Sequence, residues 1–371
     1  VRSGCWNVLV WVSLLSLACR EKGTEPPQGS QPGKRDYTWT VDTLAYPGSF
    51  QTLMYSIWAS SPKDVYVVGH NDQAGWGSMY HYNGVRWTPE SLLTNQGGTI
   101  NQGFDLLSLC GFASNDIYAV GNYIHVNPTP PPNFLDSSLI IHFDGTRWIE
   151  ANIDRRSLLA DVAGSTDRNI WAVGWGTNSI YHYDGIRWAN DSIHMSIPSG
   201  GFFQIYSISV VSDSELYALA STHINDLAKD IYYFLHRFQG AWSVVDTAII
   251  EPGSIEIKWG YSRLWMSPWG TLYSVGEGVY EWTQNQWIET FHNNNSLIDM
   301  LGTNGNDIFV VGQNGTIFHY NGTDWYHFTQ FPPSSISLTT EWFFGVWTNG
   351  QEVFIVGQDA NGRNSIVLHG K

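Results

Sequence analysis

From about residue 50 to the C-terminus, short runs of β-forming apolar residues alternate with Gly, Asn and Asp punctuation, and the alternation repeats. The unit is cleanest at 307–325: Asp307-Ile-Phe-Val-Val-Gly312, a short polar loop, then Thr316-Ile-Phe-His-Tyr-Asn-Gly-Thr-Asp-Trp325. The first run predicts a strand closed by glycine. Asn321-Gly322 predicts a two-residue hairpin turn with φ > 0 at both positions, which places Trp325 on the returning strand.

The glycine-ended strand recurs at 64–69, 116–121, 169–174, 215–220, 271–276, 307–312 and 352–357, and only the fourth copy, ending in Ala220, lacks its glycine. Its third position is always aromatic: Tyr66, Tyr118, Trp171, Tyr217, Tyr273, Phe309 and Phe354. Its neighbours are mostly apolar as well, so both faces of the strand must be covered. A tryptophan strand follows at Trp87, Trp148, Trp188, Trp242, Trp287 and Trp325, with Trp39 ahead of the first copy. Such a unit cannot bury both faces alone. Stacked copies predict an all-β, seven-bladed β-propeller of four-stranded antiparallel blades. The seventh copy stops at 367–371, where its own tryptophan strand is due, so residues 36–42 are expected to pair in the last blade and close the ring. Third-to-fourth turns are read at Asn83-Gly84, Asp144-Gly145, Asp184-Gly185 and Asn321-Gly322. Gly240 and Asn285 come one residue late, which predicts bulged turns in blades four and five.

Residues 1–18 read as an export signal: Arg2 is a thin positive start, and Trp6 to Leu17 is too short to span a bilayer. Leu15-Ser16-Leu17-Ala18-Cys19 resembles the bacterial lipobox, which implies lipidation of Cys19 and attachment to the outer membrane or cell surface. Residues 19–35, rich in Pro, Gly and charge, read as the lipidated cysteine and a flexible tether, leaving 36–371 as one monomeric propeller domain. Cys110 is then the single remaining thiol of the domain, and no disulfide forms within one mature chain. Charged residues are 14% of the chain, aromatics 15%, and there are 37 glycines, as suits a turn-rich β-protein. The net charge of −15 excludes nucleic acid as an expected partner, because counterion release needs clustered Lys and Arg.

The repeats resemble the secreted bacterial seven-bladed propellers whose units read Asp-Val-Tyr-Ala-Val-Gly, then Ile-x-His-Tyr-Asp-Gly-x-x-Trp. The resemblance covers 36–371 and implies the fold. Its members are mostly of unknown function, with assembly-factor-like propellers among distant relatives.

Six histidines share one repeat position, His81, His142, His182, His236, His319 and His369, with Glu281 in the fifth blade. Equivalent positions in different blades lie on a wide ring, whereas zinc ligands converge to about 2.1 Å from one ion. They are therefore expected to be structural, His81 opposite Arg86 and Tyr80 opposite Trp87; no metal or other cofactor is expected. An inner-strand ring reads Ser56, Ser108, Asp161, Ser207, Arg263 and Asp299, then Phe344 or Gly345. Asp161 and Asp299 are candidate acid and base, with Arg263 to hold an anion. Nearly every insertion falls on one face, at 70–77, 89–104, 122–137 (with the stiff Pro128–Pro132 run), 189–203, 221–231, 243–260 and 326–340. Aromatic residues outside the repeat pattern sit on or beside it: Trp76, Trp175, Trp259, Trp342, Tyr123, Phe134, Phe202 and Phe203. Exposed rings stack on sugars or anchor proteins. The expected function is a lipid-anchored envelope scaffold holding a protein or glycan on this long-loop face; the alternative is a carbohydrate-active enzyme using Asp161 and Asp299.

Overall fold

The computed structural model describes residues 32–371 apart from 74–75, 127–128, 130–133, 155–157, 178, 199–200, 225–228, 251–256 and 332–340. The expected signal, Cys19, most of the tether and most of the Pro128–Pro132 run lie outside the described residues.

Seven antiparallel sheets form the blades of a propeller. Blade one is Thr52–Ser61, Asp64–Asn71, Met79–Tyr82 and Trp87–Pro89, running from the inner strand outward. Blade seven takes Trp342–Thr348, Val353–Gln358 and Ser365–Gly370 from the C-terminus and Trp39–Leu44 from the N-terminus. The latch runs from Trp39↔Gly370 to Leu44↔Ser365. Its aromatic anchor, Trp39, packs against Phe331, Phe328 and Tyr37 at 5.1, 5.4 and 5.6 Å. Docking begins before the expected strand: the Gly33 amide donates to the Asn306 carbonyl at 2.9 Å, and Arg35 pairs with Asp324 at 3.0 Å. Residues 33–35 therefore belong to the domain rather than to a free tether. Blade two carries an unforeseen fifth strand, Leu92–Leu93, parallel to Trp148–Glu150.

In six blades the second-strand aromatic stacks on the third-strand histidine of its own blade, as in Tyr66 on His81 at 4.2 Å, and at the first two seams it also meets an aromatic pair from the next blade. Tyr66 thus touches Trp148 at 5.6 Å and Phe143 at 6.0 Å, and Tyr118 touches Tyr183 at 6.0 Å and Trp188 at 6.2 Å. At the third seam Arg237 replaces one ring and lies 4.4 Å above Trp171, a cation–π substitute.

Three local expectations change. The turn after Tyr82 centres on Gly84 and Val85: Gly84 alone has φ of +86°, the Asn83 side chain accepts from the amides of Val85 and Arg86, and Tyr82, not Tyr80, faces Trp87. Asp144, Asp184 and Asn321 cap their turns in the same way. The tight turns with φ > 0 at both positions are instead in blades four and five, at Gln239-Gly240 and Gln284-Asn285, which are not bulged. The histidines bond to the residue that opens, or immediately precedes, the second strand rather than lie opposite arginine. His81 reaches Asp64 at 2.7 Å, His142 reaches Asp116 at 2.7 Å, and His369 reaches Glu352 at 2.6 Å.

Burial pulls the His81 imidazole pKa down, but hydrogen bonds and charge from Asp64 and Glu90 outweigh it and raise it to about 9. The contribution to stability is complete below the unfolded pKa of about 6.5 and is lost as pH rises through the folded value. The urea midpoint of the wild type should exceed that of His81→Gln most at about pH 6 and least at about pH 9.5. A difference that does not change with pH would show that the pair is held by neutral imidazole.

Candidate binding site at the channel mouth

The inner strands surround a central channel, and each of six carries a register shift: Met54/Ser56, Leu106/Ser108, Leu159/Asp161, Ile205/Ser207, Leu297/Asp299 and Phe343/Gly345. At most of these bulges the facing residue is the repeated glycine. A Cβ on Gly69 or Gly121 would sit 1.9 Å from the carbonyl oxygen of Leu53 or Asp105, so those positions take glycine, whereas blade four accommodates its shift opposite Ala220. The same bulges place Tyr55, Leu107, Ile298 and Phe344 around a cavity of about 220 Å³ in the channel. They also decide the ambiguous seventh position: Gly345, not Phe344, is the counterpart of Ser56.

One residue after each bulge, the polar ring ties blade to blade. Ser56 Oγ accepts from the Leu109 amide, Ser207 Oγ from Leu264 and Asp299 Oδ2 from Val346, at 3.2, 2.9 and 3.0 Å. Asp161 performs this job and more. It has no exposure, and its carboxylate accepts from Ser108 Oγ at 2.7 Å, Arg263 Nη1 at 2.8 Å, and the amides of Ile208 at 2.9 Å and Val162 at 3.0 Å. Asp161, Asp299 and Arg263 do come together, with Arg263 Nε 3.6 Å from Asp299. Three of these donors converge on Asp161 Oδ1 and one on Oδ2, so the carboxylate is held between blades as a structural acceptor. Asp299 keeps 18% of its side-chain surface exposed. Burial pushes its carboxyl pKa up to about 6 against the pull of Arg263. Burial likewise pushes the Cys110 thiol up to about 12, away from the thiolate form.

The loop-face aromatics divide. Trp76, Trp175, Phe202 and Trp342 are 39, 37, 47 and 39% exposed, whereas Trp259, Tyr123 and Phe203 are buried, at 1, 0 and 4%. The three buried rings correct the expectation of exposure, each for its own reason. Tyr123 is strand rather than loop, because blade two's second strand continues to Val126 and pairs Tyr123 with Phe104. Phe203 faces inward because blade four's inner strand begins at Gly201, and alternation sends Phe202 and Phe203 to opposite faces. Trp259 packs with Leu219, Phe234, Leu264 and Leu272 where Gly260 lies against the backbone of Val275. The side chain of Phe134 lies outside what is described.

The exposed rings occupy three places. Trp76 stands in a blade-one loop; Trp175 meets Phe202 edge-on at 5.2 Å; Trp342 lies 6.4 Å from Phe344, which contacts Tyr55 edge-on at 5.5 Å. The last series runs from the solvent-exposed rim into the channel cavity, whose lining includes Arg263 and Asp299. Sequence reasoning found Trp342 and named Phe344 as one choice for the inner ring, but missed Tyr55, Leu107 and Ile298. An extra strand residue shows no distinct pattern in the sequence. Among the described residues, no group of three or more His, Cys, Asp or Glu is placed to hold a metal ion.

No protein-family model matches the chain, and no curated protein matches it. Among solved structures it is similar to YCF48 bound to D1 peptide, at 15% identity and TM-score 0.55, covering 92% of this chain and 97% of that one. It is also similar to YCF48 from Cyanidioschyzon merolae, at 12% identity and TM-score 0.51, covering 90% of this chain and 98% of that one. Raptor of Chaetomium thermophilum aligns at 12% identity and TM-score 0.53, over 88% of this chain but 29% of that one. Likeness at such identities shows the fold alone: the chain is a seven-bladed β-propeller.

Proposed function

We propose that the domain is a binding scaffold that holds a protein segment on its long-loop face over the channel mouth, tethered to a bacterial envelope membrane through lipidated Cys19. The observation that carries this reading is the aromatic series Trp342, Phe344 and Tyr55 descending into a cavity of about 220 Å³ lined also by Arg263 and Asp299. A rigid ring with apolar walls and two charged groups offers a chain both burial and polar register. A propeller of similar fold was solved with a peptide bound, which supports a peptide over a glycan as occupant. The burial of Asp161 among four donors gives the enzymatic alternative no support.

Binding should be measured by pull-down from envelope extract beside a glycan array. Trp342→Ala should weaken partner capture by roughly thirtyfold at unchanged melting temperature, the usual effect of losing an interface aromatic worth about 2 kcal/mol. Trp148→Ala is the folding control, being 1% exposed in the core. Early melting of Trp342→Ala, or strong glycan binding that survives the substitution, would sink the reading.

Anchoring has its own test. No helix among the described residues is long and apolar enough to cross a membrane. Cys19→Ala should therefore move the protein from the membrane fraction to the soluble one, because acyl chains supply the proposed attachment. Membrane association that persists through a high-salt wash would defeat the lipid anchor.

A further inference from the structure

The seam between blades five and six lacks the contact that Tyr66 and Tyr118 make at the first two seams. At the histidine position blade five carries Glu281, and at the position of the histidine's acidic partner it carries Thr271. Tyr273 pairs with Glu281 across the sheet, yet no ring contact among the described residues joins Tyr273 to Tyr320 or Trp325 of the next blade. Trp325 stacks instead on Phe291 at 4.7 Å. Where Tyr66 and Tyr118 meet their neighbours, this seam leaves a cavity of about 190 Å³.

Its walls are Tyr273, Tyr320 and Trp325, with Glu281 beside them. Tyr273 is buried, and the other three are half-buried. Among the described residues, the Glu281 carboxylate has neither a hydrogen bond nor a cationic partner. Burial alone raises its pKa. A half-buried carboxylate without a partner is unfavourable, and aromatic walls favour a cation that needs no hydrogen-bond acceptor on every side; Phe291 covers one face of Trp325 and Trp265 one face of Tyr273.

We infer that this pocket binds an organic ammonium group, with Tyr273, Tyr320 and Trp325 packing around its alkyl substituents and the Glu281 carboxylate balancing its charge. The site differs from the proposed channel-mouth surface. Gly305 lines it from the inner-to-second turn of blade six, and Tyr320 and Trp325 flank the third-to-fourth turn, so it lies toward the face with short turns. A metal ion or a phosphate is not the fitting occupant, because one carboxylate cannot complete a metal shell and repels an anion.

The ligand class could arrive as a free small ammonium compound or as a methylated lysine side chain, and calorimetric titration of the full domain distinguishes them. Choline should bind at one saturable site, and its uncharged carbon isostere should bind at least roughly tenfold more weakly. Glu281→Gln should lose at least roughly tenfold in choline affinity at unchanged melting temperature, and Trp325→Leu should also weaken it. A peptide carrying N-trimethyllysine that competes better than choline assigns the source to a protein; poorer competition assigns it to a free compound. No choline binding, equal binding of the isostere, or full affinity in Glu281→Gln would overturn the inference.

Discussion

A chain beginning at residue 45 should unfold at a markedly lower urea concentration than one beginning at residue 32, and should self-associate. The shorter chain loses the pairing of Trp39–Leu44 with Ser365–Gly370 and strips the outer edge from blade seven. It also loses Trp39, which is 5% exposed among Tyr37, Phe328 and Phe331. Truncating one buried aromatic of this size costs about 3–5 kcal/mol, so Trp39→Ala alone should account for much of the deficit. The exposed edge presents unpaired amides and carbonyls beside a buried apolar strand, which recruits a second chain. The docking of Gly33 and Arg35 sets the start of the longer chain at 32 rather than 36. Equal midpoints for the two chains would show that the ring is closed by interactions other than the latch.

Asp161→Asn should cost about 3 kcal/mol, because an amide oxygen replaces one carboxylate oxygen while an NH2 group is turned toward donors. Four donors converge on that carboxylate, two of them backbone amides that cannot move away. Arg263→Ser should cost a similar amount by leaving the buried charge of Asp161 unpaired. The double change Asp161→Ser with Arg263→Ser should recover most of the loss. Serine already fills the ring at Ser56, Ser108 and Ser207, and its hydroxyl accepts the neighbouring blade's amide at Ser56 and Ser207. A buried ion pair is often replaceable by a neutral solution of the same shape even where either half alone is needed. Chemical denaturation of the three variants tests this. An Asp161→Asn midpoint equal to wild type, or a double variant no better than either single one, would show that the ion pair is not what holds the ring there.

The architecture was legible because it is written in repeated local patterns. Seven glycine-ended or equivalent strands, seven tryptophans and their one-copy offset lead to seven blades and an N-terminal latch, since strand period and turn chemistry act over a few residues. Local geometry within the repeat was less legible. Asn83-Gly84 and Gly240 both signal a turn, yet only the tertiary register shows that glycine opens the first and closes the second. The histidine position was read as a cross-strand partner of arginine, whereas the partner of His81 is Asp64, 17 residues away and invisible to cross-strand counting.

The candidate site divides along the same line. Sequence placed Asp161, Arg263 and Asp299 on inner strands and put the long loops on one face, because equal repeat position means equal radius and equal side. Whether a ring is exposed was decided elsewhere: Trp259, Tyr123 and Phe203 have the composition of binding residues, and the folded chain covers them. Trp342 and Phe202 stay outside by strand alternation alone. The bulges that bring Tyr55, Leu107, Ile298 and Phe344 to the channel, the locking of Asp161 by four donors, and the gap beside Glu281 are products of contact between blades. Those contacts join residues dozens to hundreds of positions apart, and their geometry comes into being only when the ring closes.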